Sequence, residues 1–340
     1  MVTSSSERPS TLLAFSNGLA DAVEQAGRAV VAVNARQRIS SSGIHWRQGL
    51  VVTADHTVRR DEEITVTLPG AAPESVGGHY TVPATLVGRD ASTDLALLKL
   101  QDIELPTADI GNTSSLKVGH LVLAVARLGE SGLSASLGVI SALGGAWQTW
   151  SGGQIDQFVR LDLTLYPGFS GGPLIDAQGH VVGINTSGPR SMVLAIPTAT
   201  VDRVVDQLLE RGHVARGYLG LGMQPVRLPD RLKSLLNLQV SSGVIVVTVE
   251  PDGPAEKAGV LIGDILIAIQ DHPVSDTGDV QTLLSPERAG KLLRVQIIRG
   301  GTLAELAITL GERPHREENY GNYRAGRSTY SPRRGGRRRR

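Results

Sequence analysis

Ser170 stands in the stretch GFSGGP, with glycine at positions 168, 171 and 172. Glycine lets a backbone turn tightly and leaves room around an attacking group, so a hydroxyl in this setting has the makings of a nucleophile. In a chain with 40 glycines among 340 residues, the pattern alone decides nothing. A serine oxygen becomes reactive when a base takes its proton and a third group orients that base. His56 lies in GLVVTADHTV, just after the apolar run Leu50 to Val52, where a strand would hand over to a turn. Its neutral imidazole can accept a proton near neutrality. Asp94, in GRDASTDLALLKL, directly precedes an apolar run that would draw its carboxylate inward, and Asp90 in the same segment is the competing acid.

Groups so distant in sequence meet only on a framework of strands. In VRLDLTL, Val159, Leu161, Leu163 and Leu165 face one way while Arg160, Asp162 and Thr164 face the other, the period of a half-buried strand. LALLKL, HLVLAVA and VVGIN recur as short apolar runs between glycine-rich turns. Many short strands with frequent turns predict a mainly β protein of antiparallel barrels rather than parallel βαβ units. ATVDRVVDQLLERG is the exception: Val201, Val204, Val205, Leu208 and Leu209 recur at helical spacing, and Gly212 is a natural stop. Further on, LLRVQIIRGGTLAELAITL reads as two alternating strands joined at Gly300-Gly301.

Length and composition allow two domains, each with its own core, since 41% of the 340 residues are hydrophobic. The absence of cysteine excludes disulfides, thiolate catalysis and cysteine-ligated zinc. The first 30 residues hold Glu7, Arg8 and Asp21, with apolar runs no longer than LLAF and AVVAV. Neither a signal-peptide core nor a membrane span is expected there, so the chain as written is expected in the cytoplasm, or in the cell envelope if a leader is missing. A net charge of +1 conceals an asymmetry: ten arginines against Glu317 and Glu318 give residues 313–340 a charge of +8, leaving −7 on the remainder. This Gly, Ser and Pro-containing tail has no apolar period and is expected to be disordered. It would either solubilise the protein or contact nucleic acid, anionic lipid or another acidic surface.

TADHTV, ASTDLALLKL and PGFSGGPL resemble the three signature segments of the HtrA/DegP serine proteases, and the resemblance runs from about Phe15 to Gly311. The order His56, Asp94, Ser170 is also that of the chymotrypsin arrangement. The resemblance implies a mainly β fold, a trypsin-like double β-barrel protease domain over 28–212 followed by a PDZ domain over 214–312. An N-terminal segment, 1–27, would precede them, and the tail of 313–340 would follow. In such an enzyme Ser170 attacks the scissile carbonyl, His56 carries the proton and Asp94 orients the imidazole, while the N–H groups of Gly168 and Ser170 form the oxyanion hole. By the same analogy Ile184, Asn185, Ala195 and Ile196 would wall a specificity pocket without an acid at its floor, favouring small or aliphatic side chains before the cut.

Three positions depart from the family pattern: Phe169 replaces the usual asparagine before the nucleophile, Asp55 stands beside the base, and Arg28 replaces a proline. Phe169 would reshape the oxyanion loop or narrow the cleft. Downstream, Tyr218-Leu219-Gly220-Leu221 is similar to the loop with which PDZ modules hold a peptide carboxylate, and Ala258 to Asp264 matches the A-G-x-x-x-G-D core of such modules. Asp271-His272 sits where the usual turn is Asn-Gly. The expected function is ATP-independent proteolysis of misfolded or exposed polypeptides, with peptide C-termini bound by the PDZ domain and with no cofactor or metal. Most relatives form trimers through the N-terminal segment, so Leu12, Leu13 and Phe15 would serve a homotrimer. The alternatives are a peptide-binding or chaperone-like protein with an idle protease site, and a nucleic-acid-associated protein led by its tail.

Overall fold

The computed structural model describes residues 10–37, 39–70, 80–129, 132–149, 151–188, 192–284 and 290–312. Helix α1 (Thr11–Gly27), capped by Ser10 Oγ accepting from Leu13 N at 3.3 Å, leads into a first closed barrel. Its strands are β1 (Val30–Asn34), β2 (Ser41–Arg47), β3 (Leu50–Ala54), β4 (Ile64–Leu68), β5 (Tyr80–Asp90) and β6 (Leu95–Leu100). They close antiparallel in the order β1-β2-β3-β6-β5-β4. Alternation decides which side chains fill it. From β6, Ala96, Leu98 and Leu100 point into the barrel with Val31 and Val33 of β1, while Leu95 and Leu97 point outward.

A second closed barrel is built from β7 (Leu121–Arg127), β8 (Leu133–Gly144), β11 (Phe158–Asp162), β12 (Pro173–Asp176), β13 (Val181–Ser187) and β14 (Val193–Pro197), in the order β11-β14-β13-β12-β7-β8. Between β8 and β11 lies the short hairpin β9 (Trp147–Gln148) and β10 (Gln154–Ile155). The outward residues of the two barrels make one shared core. Leu95 and Leu97 meet Leu123, Val125, Ile175, Ile184 and Ile196, and helix α2 (Thr198–Arg211) closes this core with Val201, Val204, Val205 and Leu208. α2 ends as expected at Gly212, which has φ +74° and donates to Leu208 O at 2.9 Å. Leu209, expected on the apolar face, is exposed instead. The strand expected through Leu165 ends at Asp162, because the chain turns there toward Ser170.

The remaining chain forms β15 (Gly217–Tyr218), β16 (Leu221–Arg227), α3 (Asp230–Leu236), β17 (Ser242–Val249), α4 (Pro254–Lys257), β18 (Ile265–Ile269), β19 (His272–Pro273), α5 (Thr277–Leu283), β20 (Leu292–Arg299), β21 (Thr302–Thr309) and β22 (Gly311–Glu312). The main sheet runs β16-β17-β18-β20-β21, with β19 on β18, and β15 pairs with β22. Val244, Val246, Leu266, Val295, Ile297 and Ile308 fill its core. The hairpin at Gly300-Gly301 forms as expected: both residues have positive φ (+57° and +82°), which a two-residue turn of the primed kind requires. The turn after β18 differs, because Gln270 and Asp271 take the positive φ (+49° and +66°) while His272 already pairs with Ile269. Arg294 steadies that turn through Asp271 Oδ2 at 2.8 Å.

Candidate active site

β3 ends at Ala54, and residues Asp55–Thr57 make one turn of 3-10 helix that lifts His56 off the barrel rim. Asp94 arrives at the start of β6 with φ +58°, an uncommon conformation for a residue with a Cβ. Its carboxylate reaches His56 Nδ1 at 2.9 Å through Oδ1 and 2.8 Å through Oδ2. Oδ1 also accepts from the His56 backbone N–H at 2.9 Å, and Asp94 O accepts from Asp55 N at 3.1 Å. A carboxylate on Nδ1 keeps the proton there, which leaves Nε2 as the basic nitrogen. Thr186 Oγ1, from β13 of the other barrel, donates to Asp94 Oδ2. The acid is thus gripped from both barrels.

The competing and neighbouring acids lie elsewhere. Asp90 accepts from Ser92, Thr93 and, at 2.5 Å, Arg216. Asp55, next to the base in sequence, is buried with Arg89 Nε at 2.5 Å from its Oδ1, so its carboxylate is committed to that ion pair. Burial raises the Asp55 pKa and the Arg89 guanidinium only partly offsets this.

Ser170 sits in two linked turns between β11 and β12. Phe169 N donates to Tyr166 O and Gly172 N donates to Phe169 O, each at 3.1 Å. Gly168 and Gly171 occupy the third position of the two turns with φ +95° and +84°. A positive φ at that place is what a type II turn needs, and glycine reaches it at little steric cost. Space demands glycine too: a Cβ on Gly171 would lie 2.4 Å from Ser42 O and 2.6 Å from Ala54 N. That contact sets the serine loop directly against the chain two residues before His56. Among the described residues the N–H groups of Gly168 and Ser170 have no bonded acceptor, and no hydrogen bond joins Ser170 Oγ to His56.

The residues around the loop were only partly legible beforehand. Ser42, a buried polar residue in β2, donates through Oγ to Gly168 O at 2.8 Å and through its N–H to Ser170 O at 3.3 Å. Arg127 N donates back to Ser42 Oγ at 3.0 Å, and the buried Arg127 guanidinium holds Val30 O and Gly27 O at 2.6 and 2.9 Å. The run Ser40–Ser42 was the available signal for Ser42; Thr186 carried none.

Two expectations need correction. Ile184, Asn185, Ala195 and Ile196 do not face an open pocket, since all four are buried. Ile184 and Ile196 belong to the shared core and Ala195 to the interior of the second barrel, because strand alternation sends neighbours to opposite faces and both faces are covered. Asn185 braces the serine loop from behind: its Nδ2 donates to Gly172 O at 3.0 Å and Pro173 O at 2.7 Å. Phe169 does not narrow the cleft. Its ring is turned into the second barrel against Ala124, Ala126, Leu128, Leu163 and Leu165, where full burial contributes about 1.5–3 kcal/mol.

In the PDZ-like loop, Leu219 is buried, Gly220 has φ +76°, and their carbonyls accept from Ala255 and Glu250 at 2.9 and 2.8 Å. The N–H groups of Leu219 and Gly220 have no bonded acceptor among the described residues. Tyr218 Oη donates to Glu250, and Leu221 opens β16, the edge strand of the sheet.

Comparison with known proteins places this geometry. A trypsin-like peptidase domain model matches residues 41–184 and a PDZ domain model matches 217–310. A probable periplasmic serine endoprotease, DegP-like, of Pseudomonas putida (strain W619) is 33% identical over 291 residues, covering 84% of this chain and 58% of the relative. One of the same description from Chlamydia pneumoniae is 32% identical, covering 78% and 53%. The chain therefore spans a little over half the length of these curated relatives. Among solved structures, the HtrA-type protease AlgW with decapeptide matches with TM-score 0.70 at 27% identity, over 88% of this chain and 99% of that one. The serine endoprotease from Yersinia pestis matches with TM-score 0.70 at 29% identity, over 87% and 98%. The relatives' names are periplasmic, which overturns the expectation of a cytoplasmic protein and points to the cell envelope. Among the described residues no helix is long and apolar enough to cross a membrane.

Proposed function

The chain belongs to the HtrA/DegP family of trypsin-like serine proteases with a PDZ domain, and on that premise we propose that it is an ATP-independent serine endopeptidase of the cell envelope acting on misfolded or exposed polypeptides. The observation that carries this reading is the His56–Asp94 pair, with both carboxylate oxygens within 2.9 Å of Nδ1 and Thr186 behind them. Nε2 is left to take the Ser170 proton as Oγ bonds to the scissile carbonyl carbon and the carbonyl electron pair moves onto oxygen. The unbonded N–H groups of Gly168 and Ser170 are suited to receive that oxyanion. Collapse of the adduct breaks the C–N bond, and His56 gives its proton to the departing amine. Water then repeats the sequence on the acyl-enzyme, with His56 again as base. Replacing Ser170 by alanine is expected to abolish casein cleavage, on the order of 10⁶-fold, with the fold retained. Cleavage by Ser170→Ala within about ten-fold of wild type would refute the assignment.

For the second half of the chain, the reading is a peptide-binding module. An extended peptide would add to the open edge of β16, beside α5, with its terminal carboxylate on the N–H groups of Leu219, Gly220 and Leu221. The free N–H groups and the positive φ at Gly220 support it. A homotrimer is proposed through α1, where Leu12 is 80% exposed and Leu13 and Phe15 are also open while Ala22 and Ala26 are buried. The arginine-rich tail, and its contact with acidic surfaces or nucleic acid, lies outside the described residues.

A further inference from the structure

We infer that Phe169 is a positioning residue for the oxyanion donors, a step that rests on the endopeptidase reading above. Residues 168–172 contain only two side chains, Phe169 and Ser170, because the other three are glycine. Two of those glycines hold positive φ, a state they enter and leave easily, so they bring flexibility and no grip. Ser170 cannot serve as an anchor, since its hydroxyl must stay free to react. The fixing of the loop from within therefore falls to Phe169.

Its surroundings are built for that task. The ring is 2% exposed and closed in by Ala124, Ala126, Leu128, Leu163 and Leu165, with the Tyr166 ring tilted at 59° and 5.7 Å away. This lining is hydrocarbon, and a polar side chain would enter it at a cost. The backbone of the same residue closes the first turn through N–H to Tyr166 O and opens the second through C=O from Gly172 N. Phe169 Cα also joins the peptide groups on either side of it, between the two donors Gly168 N and Ser170 N. On the opposite side, Ser42 holds Gly168 O at 2.8 Å and Ser170 O at 3.3 Å. The loop is held by the Ser42 tie on one side, the Asn185 brace behind and the Phe169 plug, and only the plug belongs to the residue between the two donors. Withdrawing it therefore loosens the Phe169–Ser170 peptide that bears one donor and the adjoining Gly168 that bears the other. The family pattern has asparagine here, so this chain secures the loop by burial in place of a polar side chain.

Loss of the plug should act on the transition state more than on substrate binding, because oxyanion donors are used fully only when charge develops. The test uses the full chain with Phe169→Leu, Phe169→Val, Phe169→Ala and Phe169→Asn, assayed well below each melting midpoint on a peptide substrate. A peptidyl boronate, which forms a tetrahedral adduct on Ser170, is the second readout. The Ala and Asn variants are expected to lose about 100- to 1,000-fold in kcat, the scale of one missing oxyanion donor, with KM within about three-fold and boronate affinity falling in step with kcat/KM. Phe169→Leu, which refills much of the space, should stay within about ten-fold of wild type. If Ala and Asn do not fold, Phe169→Val carries the test, with a loss of about ten-fold or more expected. A folded Ala, Asn or, failing those, Val variant with kcat within about three-fold of wild type overturns the inference, as does a rise in KM alone. A wild type no faster than Ser170→Ala would instead sink the endopeptidase reading, so the two failures are told apart.

Discussion

Asp94 illustrates how a single side chain is given one task by its neighbours. Its two oxygens hold the ring and backbone of His56 and take a proton donor from Thr186, whereas the nearby Asp55 is consumed by Arg89 and Asp90 by Arg216. Removing the Thr186 hydroxyl with Thr186→Val keeps the shape and leaves one carboxylate oxygen short of a partner. A hydrogen bond to a charged group contributes about 1.5–3 kcal/mol, so kcat is expected to fall about 10- to 100-fold with folding intact. Steady-state kinetics beside a thermal melt checks this, and kcat within about two-fold of wild type would contradict it. Sequence made His56, Asp94 and Ser170 visible because each sits in a distinctive local segment. Thr186 and Ser42 were invisible as partners because their bonds span 92 and 126 residues, and only strand register brings such pairs together.

At the scale of single elements, local chemistry was readable wherever the backbone itself demanded a residue. Gly212, Gly300 and Gly301 stood out for that reason, while the turn after β18 moved back one residue because β19 pairs early. The core motif ending in Asp264 offers an element-level test. Asp264 is buried, which alone would raise its pKa, but the Arg299 fork at 2.8 and 2.7 Å and the Leu261 N–H at 2.8 Å bring it below the ordinary 3.8. With the folded value below the unfolded one, the unfolded chain takes up the proton first as pH falls. The stabilisation is present above about 3.8 and lost below it. Melting of the second half of the molecule should therefore drop more steeply between about pH 5 and 3 in wild type than in Asp264→Asn, which starts less stable at neutrality. Parallel slopes for the two proteins would contradict this. Gly220→Val tests the neighbouring loop. It should weaken binding of a free-acid apolar peptide in titration calorimetry by about ten-fold or more, since a Cβ opposes the positive φ there.

Taken whole, the molecule has two closed barrels sharing one core, and a mainly β fold could be anticipated because its strands either alternate, as Phe158–Asp162 does, or are short apolar runs buried on both faces, as Leu95–Leu100 is. The specificity pocket was misplaced for that same reason, as residues with buried alternatives on both faces look alike in sequence. α1 bears on assembly. Static light scattering at micromolar concentration is expected to give three copies, and truncation before Asp21 to give a monomer, because Leu12, Leu13 and Phe15 would be lost while Ala22 and Ala26 still pack. A monomeric wild type, or a truncated trimer, would refute that.

On the endopeptidase reading, the cross-barrel grip on Asp94 also bears on when this protein could first cut. His56 and Asp94 come from β3 and β6, whereas Ser170 and Thr186 come from the second barrel. During synthesis the first barrel emerges well ahead of β13, and it carries a base and an acid with nothing to activate. Cutting power would then arise only at the moment the two halves dock, and a nascent or half-unfolded copy would be harmless to its siblings.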